Sequence, residues 1–146
     1  MQTISEDKIK FFSKLIGSLV LLKPVLDKMN IAEIIDSICP ADKQQIVSHG
    51  KTIEILVCNR LLSAQPLYHV EGWAKYAPIK EVYGIDASLL NDDRLTKTLD
   101  AIHPSLGVIK SEIALNVAQT FNLPLKQIHW DLTSFHFTGE YENQKE

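Results

Sequence analysis

Residues 128–141, IHWDLTSFHFTGEY, form the one run in the chain that alternates as a strand and carries a carboxylate inside it. β-Branched and aromatic residues dominate, proline is absent, and Thr138-Gly139 supplies a turn, so a strand entering a hairpin is predicted. The pleat puts His129, Asp131 and Thr133 on one face, with Ile128, Trp130 and Leu132 on the other. A carboxylate amid Ile, Trp, Leu and Phe is costly to bury unless it is paired or bound to a metal. Asp131 is therefore the first residue to ask about chemistry.

Working back from this strand, residues 122–126 with Pro124 read as a linker, and the chain upstream reads mainly as helices with short connections. Ser105 precedes a stripe of Leu106, Ile109, Ile113, Val117 and Phe121 and is expected to cap it. Asp86 and Asn91 are cap residues ahead of Leu95, Leu99 and Ile102, a stripe broken at His103-Pro104. Residues 78–84 fit one further turn, and residues 67–76 a short aromatic helix. Ser48 caps a longer helix with Ile53, Leu56, Val57 and Leu61 on one face, broadened by Ile55 and Leu62 and stopped by Pro66. Residues 41–47 are a loop. Ile31, Ile34, Ile35 and Ile38 recur at helical spacing and end at Cys39-Pro40. Pro24 fits the first turn of a helix running to about Met29. Residues 11–22 are apolar without a period, which leaves strand and helix open. The expected architecture is mainly α: five or six helices over residues 1–125, then a β-strand or hairpin over residues 126–146. Two strands alone are marginal in water, so the hairpin is expected to pair with residues 11–15 or to stand partly exposed.

Composition bounds the function. The chain has 146 residues, 45% hydrophobic and 23% charged, which is ordinary globular protein. Its net charge of −3 argues against a strong electrostatic footprint on DNA. Residues 1–30 carry five lysines against three acids, residues 48–80 four bases against two acids, and residues 81–103 two bases against five acids. These are mild zones without a basic arm. Cys39 and Cys58 sit in apolar runs, with neither disulfide nor zinc spacing, and read as small buried hydrophobes in a reducing cytoplasm. The run LIGSLVLL at 15–22 follows lysines like a signal peptide, but it lacks a cleavage site and is far short of the about 20 residues a bilayer requires. No membrane partner is expected.

Asp131, Leu132, Thr133, Ser134, Phe135, Phe137, Gly139, Glu140 and Tyr141 resemble the segment that opens the catalytic core of DDE-class insertion-sequence transposases, in the group with a helical N-terminal region. VSHG at 47–50, NRLL at 59–62, QPLYHVEGWA at 65–74 and LNDDRLTKTLDAI at 90–102 agree in order. The resemblance implies metal-dependent phosphoryl transfer on DNA by a ribonuclease-H-like core, in which three carboxylates hold two divalent ions. Two metals about 3.5–4 Å apart clamp the attacking and leaving oxygens of a phosphodiester. Asp131 aligns with the first carboxylate, as a catalytic and metal-binding residue, and Mg2+ is the implied ion. Only 15 residues follow Asp131, and Glu140 and Glu142 are too close to serve as the second Asp and the Glu. The expectation is a truncated transposase that does not hold metal tightly and is not catalytically competent alone. Its implied partners are element-end DNA, a second copy, or a full-length transposase. The alternatives are a stand-alone DNA-binding or dimerising module and an inert remnant.

Other candidates have plainer readings. Ser48-His49 suggests a nucleophile and base, but triads are built in space, so a helix cap followed by a solvated histidine is expected. Asn91-Asp92-Asp93 reads as a helix start whose acids favour the dipole, ahead of a metal site. His103 reads as a helix-end residue. Tyr68, Trp73 and Tyr76 could stack bases, but their helical spacing favours core packing. The helix from Ser48, the turn at Pro66 and the aromatic helix also make a helix-turn-helix variant, although its second helix has Lys75 as its only base.

Overall fold

The computed structural model describes residues 17–124. Helix α3 (His49–Ser63) is the hub, packed by α2 (Ile31–Ile38) and α6 (Asp92–Ile102), and also by α1 (Leu19–Met29) and α4 (Val70–Tyr76). The five-residue α5 (Ile79–Tyr83) follows α4, and α7 (Leu106–Thr120) runs back across α1 and α2. Short 3-10 turns at Leu67–His69, Ala87–Leu90 and His103–Ser105 lead into α4, α6 and α7. The described residues are thus mainly helical, as expected. The strand and hairpin at 126–146, with His129 and Asp131, and the pairing partner at 11–15 lie outside the described residues.

The elements form for legible reasons. In α2, Ile31 and Ile35 are buried and Ile34 and Ile38 half-buried, which is the predicted amphipathic stripe. Asn30 takes the left-handed conformation (φ 54), closing α1 while its carbonyl accepts the Ile34 N–H at the start of α2. Asp86 accepts the Ser88 N–H and Asn91 the Arg94 N–H, so both predicted caps are in place. Asp92 and Asp93 occupy the first turn of α6. Leu95 and Ile102 are buried and Leu99 half-buried, as its stripe required.

Expectations for three of the helices are corrected. Pro24 sits inside α1, whose first turn lies five residues upstream of it. The backbone bond it forfeits would run to Val20, and both residues are exposed, so water can serve that carbonyl. Ser105 precedes α7 without a side-chain cap, because the chain continues from the 3-10 turn with near-helical backbone. The apolar stripe assigned to α3 is not its buried face. Thr52, Glu54, Ile55, Leu56, Cys58 and Asn59 point inward, while Ile53 and Val57 are half-exposed and Leu61 is 62% exposed. As the central helix, α3 is covered on most sides, and burial there follows its neighbours and not hydropathy.

The VSHG run is where α3 is fastened. Val47 is in the core and the Ser48 hydroxyl accepts the Lys51 N–H. His49 is buried, with Nδ1 3.2 Å from Thr98 Oγ1 on α6, which corrects the solvated reading. Gly50 donates its N–H to Asp36 Oδ1 of α2 at 2.7 Å. The N-terminus of α3 is therefore capped both locally and by a carboxylate from another helix, which also suits the helix dipole.

Candidate functional site

A cleft of about 740 Å³ opens between the start of α1, the end of α3 and α4. Ser18 and Leu19 form one wall, Leu62, Ser63 and Gln65 another, and Tyr68, His69, Trp73 and Tyr76 the aromatic side. Its shape depends on Asn59, which is fully buried. The Asn59 amide donates to Ser63 O at 3.2 Å, and its carbonyl oxygen accepts the Gln65 N–H at 3.3 Å. Arg60 adds a bond to Gln65 O at 2.6 Å. These bonds turn the chain at residues 64–66, and the Pro66 carbonyl then accepts the His69 N–H to start the turn into α4. Asn59→Ala strips two part-buried backbone groups of their partners and should cost about 1–2 kcal/mol, read as a lower urea midpoint with unchanged slope.

The aromatic residues are not core residues as expected. Trp73 is half-buried against the core, but Tyr68 is 67% exposed and Tyr76 78% exposed. Only Val70 and Ala74 of the seven-residue α4 are fully buried; Trp73 packs partly on the core and also lines the cleft, and Lys75 and Tyr76 are exposed. Tyr68 and His69 meet edge to face at 4.3 Å. The charged side chains of α4 and α5 nearby are partnered. Lys75 pairs with Glu71 at 2.8 Å, which pushes the ammonium pKa up, and Lys80 lies 3.6 Å from Asp86. Asp86 in turn is held below the usual carboxylate range by the Ser88 hydroxyl and N–H.

Beside the cleft, under α1, lies a buried polar cluster that sequence reading missed. Glu54 is 2% exposed; Lys23 Nζ is 3.9 Å from its carboxylate and also pairs with Asp27. The same ammonium sits 5.1 Å above the Tyr83 ring, and Tyr83 Oη lies 3.3 Å from Cys58 Sγ. Burial pushes the Glu54 carboxyl up, against the attraction of Lys23 and the Ala32 N–H. Burial likewise raises the Cys58 thiol and, with Cys58 alongside, the Tyr83 phenol. The signal was a glutamate inside TIEILVC, placed four residues before a cysteine.

Of the other candidates, Ser48 and His49 are engaged with Lys51 and Thr98 and form no nucleophile–base pair. His103 starts the turn after α6, as a helix-end residue should. Cys58 is buried as expected and Cys39 half-buried. Among the described residues no three His, Cys, Asp or Glu side chains converge as metal ligands, and no helix is long and apolar enough to cross a membrane.

A family model described as a domain of unknown function, DUF4277, matches residues 11–114, more than two thirds of the chain. The chain belongs to the DUF4277 family. No curated protein and no solved structure matches it. The DUF4277 match takes in the α3 hub, the aromatic cleft and the Glu54 cluster, and it ends before Asp131. For the DUF4277 domain, then, the corners built by VSHG, NRLL and LNDDR are structural devices: two helix starts and one clamped turn.

Proposed function

We propose that this chain is the N-terminal region of a DDE-class insertion-sequence transposase, in which the DUF4277 domain handles recognition and assembly ahead of a metal-dependent core. The observation that carries the reading is the run Asp131-Leu132-Thr133-Ser134 through Gly139-Glu140-Tyr141, preceded in order by the four upstream motifs. Asp131 is the first metal carboxylate in this reading, and Mg2+ the ion of the complete core. Support for assigning recognition to the helical domain comes from its exposed aromatic side chains beside a cleft, since base stacking needs no particular sequence. The partner DNA is the element ends.

The test is a mobility-shift titration of the purified chain on the terminal repeats of a matching element and on scrambled DNA, at two salt concentrations. Preference for the ends, falling steeply with salt, is expected, because phosphate contacts release counterions. Asp131→Ala should leave end binding unchanged while removing Mg2+-dependent cleavage from any assembly that relies on this chain for its first carboxylate. Absence of binding at both salts from a folded sample would defeat the recognition role.

A second reading, a dimerising module that modulates a transposase, is favoured by the apolar strip that α3 turns outward. Ile53, Val57 and Leu61 line a groove of about 400 Å³ with Leu67, Leu99 and Ile102, and Arg60 is its only charged lining residue. Sedimentation of the chain alone distinguishes the readings: a concentration-dependent dimer without DNA affinity supports the second.

A further inference from the structure

We infer that the aromatic cleft is filled from within, by residues 11–16 of this chain (FFSKLI), with a ring of Phe11 or Phe12 against Trp73. The chain leads out of the cleft wall itself. Gly17 lines the cleft beside Ser18 and Leu19, and residue 16 is one peptide unit away, about 3.8 Å between Cα atoms. Gly17 takes the left-handed conformation (φ 53), which ends the helical path of α1 on that side. The chain therefore arrives at Gly17 from off the α1 axis. Six residues reach at most about 20 Å, roughly twice the diameter of a helix, which brings Phe11 within range of the aromatic side. At the other end of the described chain, Phe121 to Pro124 do not line the cleft.

The chemistry of cleft and segment matches. Four of the six residues, Phe11, Phe12, Leu15 and Ile16, are large and apolar, and burial removes that surface from water. Among the described residues that line the cleft none is Asp, Glu, Lys or Arg, so it suits apolar and aromatic groups. Its volume of about 740 Å³ falls within the range of about 300–1,000 Å³ in which pockets bury a compact apolar group. The DUF4277 match begins at residue 11, so the segment belongs to the same domain as the cleft. Attachment decides between this occupant and a free one. A short tether supplies the segment at an effective concentration of about millimolar, whereas the same residues of a second copy compete at their bulk concentration. A base entering the cleft would have to displace the segment first, and the occupancy holds whether or not DNA is a ligand.

The test is solution NMR of the full, isotope-labelled chain without DNA. Nuclear Overhauser contacts are expected from the ring protons of Phe11 or Phe12 to the Trp73 indole or the Leu62 methyls. An isotope-filtered experiment on mixed labelled and unlabelled chains should show none of them, because they arise within one chain. A second readout uses Trp130→Phe, which leaves Trp73 as the sole tryptophan. Adding Phe11→Ser and Phe12→Ser should raise acrylamide quenching of Trp73 severalfold while helical circular dichroism is kept. Assigned Phe11 and Phe12 rings that touch neither Trp73 nor Leu62 would overturn the inference. So would contacts made to residues 128–137 instead, contacts seen only between chains, or unchanged quenching in the folded variant. If the serine variant does not fold, the contacts in the wild-type chain decide.

Discussion

Gly50→Ala should unfold the domain or cost it at least about 3 kcal/mol, beyond the usual range for an extra methyl group in a core. A Cβ on Gly50 would lie 2.1 Å from Ala32 O and 2.6 Å from Ala32 Cα. Both are backbone atoms of α2, so no side chain can rotate away. Relief requires α2 to withdraw from α3, and that separation stretches the Gly50 N–H bond to Asp36 and unseats Ile31 and Ile35. Circular dichroism at 25 °C and a urea titration check the outcome. By contrast, Gly72→Ala meets nothing within 4 Å and should be neutral or mildly stabilising, as expected for removing a glycine from a helix interior. A Gly50→Ala protein with wild-type stability would mean that α2 and α3 are not packed backbone to backbone.

The second large effect is Ile55→Ala, expected to lower unfolding free energy by about 2–5 kcal/mol. Ile55 is fully buried at the centre of α3, surrounded by the helices that depend on that hub. Truncating it removes transferred methyl groups and leaves a void that neighbours on several elements cannot all close. Leu61→Ala, on the same helix, should stay within about 0.5 kcal/mol, because the side chain is 62% exposed. The pair is diagnostic. Hydropathy spacing ranks Leu61 among the core residues of α3 and Ile55 at its margin, while the packed helices reverse that order. Equal urea midpoints for the two variants would return the core to the face predicted from spacing.

Much of the fold is readable without coordinates. The Ile31–Ile38 stripe, the caps at Asp86 and Asn91, the stops at Pro40 and Pro66, and the turn around residues 79–83 all follow from side-chain chemistry acting within a few residues. These are local interactions, and local sequence contains both partners. The candidate site is another matter. Tyr68, Trp73 and Tyr76 stand out in the sequence, but periodicity places them in the core, because a stripe of large apolar rings looks the same whether or not another helix covers it. Two of the three are left exposed: Tyr68 stands on the 3-10 turn ahead of α4, and Tyr76 ends a short helix whose buried contacts are made by Val70 and Ala74.

The sequence by itself determined a mainly helical domain, its punctuation, and the resemblance at Asp131 that motivates the proposed function. Only the tertiary structure decided which face of α3 is inside, that His49 reaches Thr98 on α6, that Gly50 exists to admit α2, and that Glu54 is enclosed beneath Lys23. The physical reason is common to all four. Burial and partnership are properties of what lies opposite a residue, and for these positions the opposite residue is contributed by another helix. Spacing along one helix records its own periodicity, whereas the environment of a central helix is set by how many neighbours surround it.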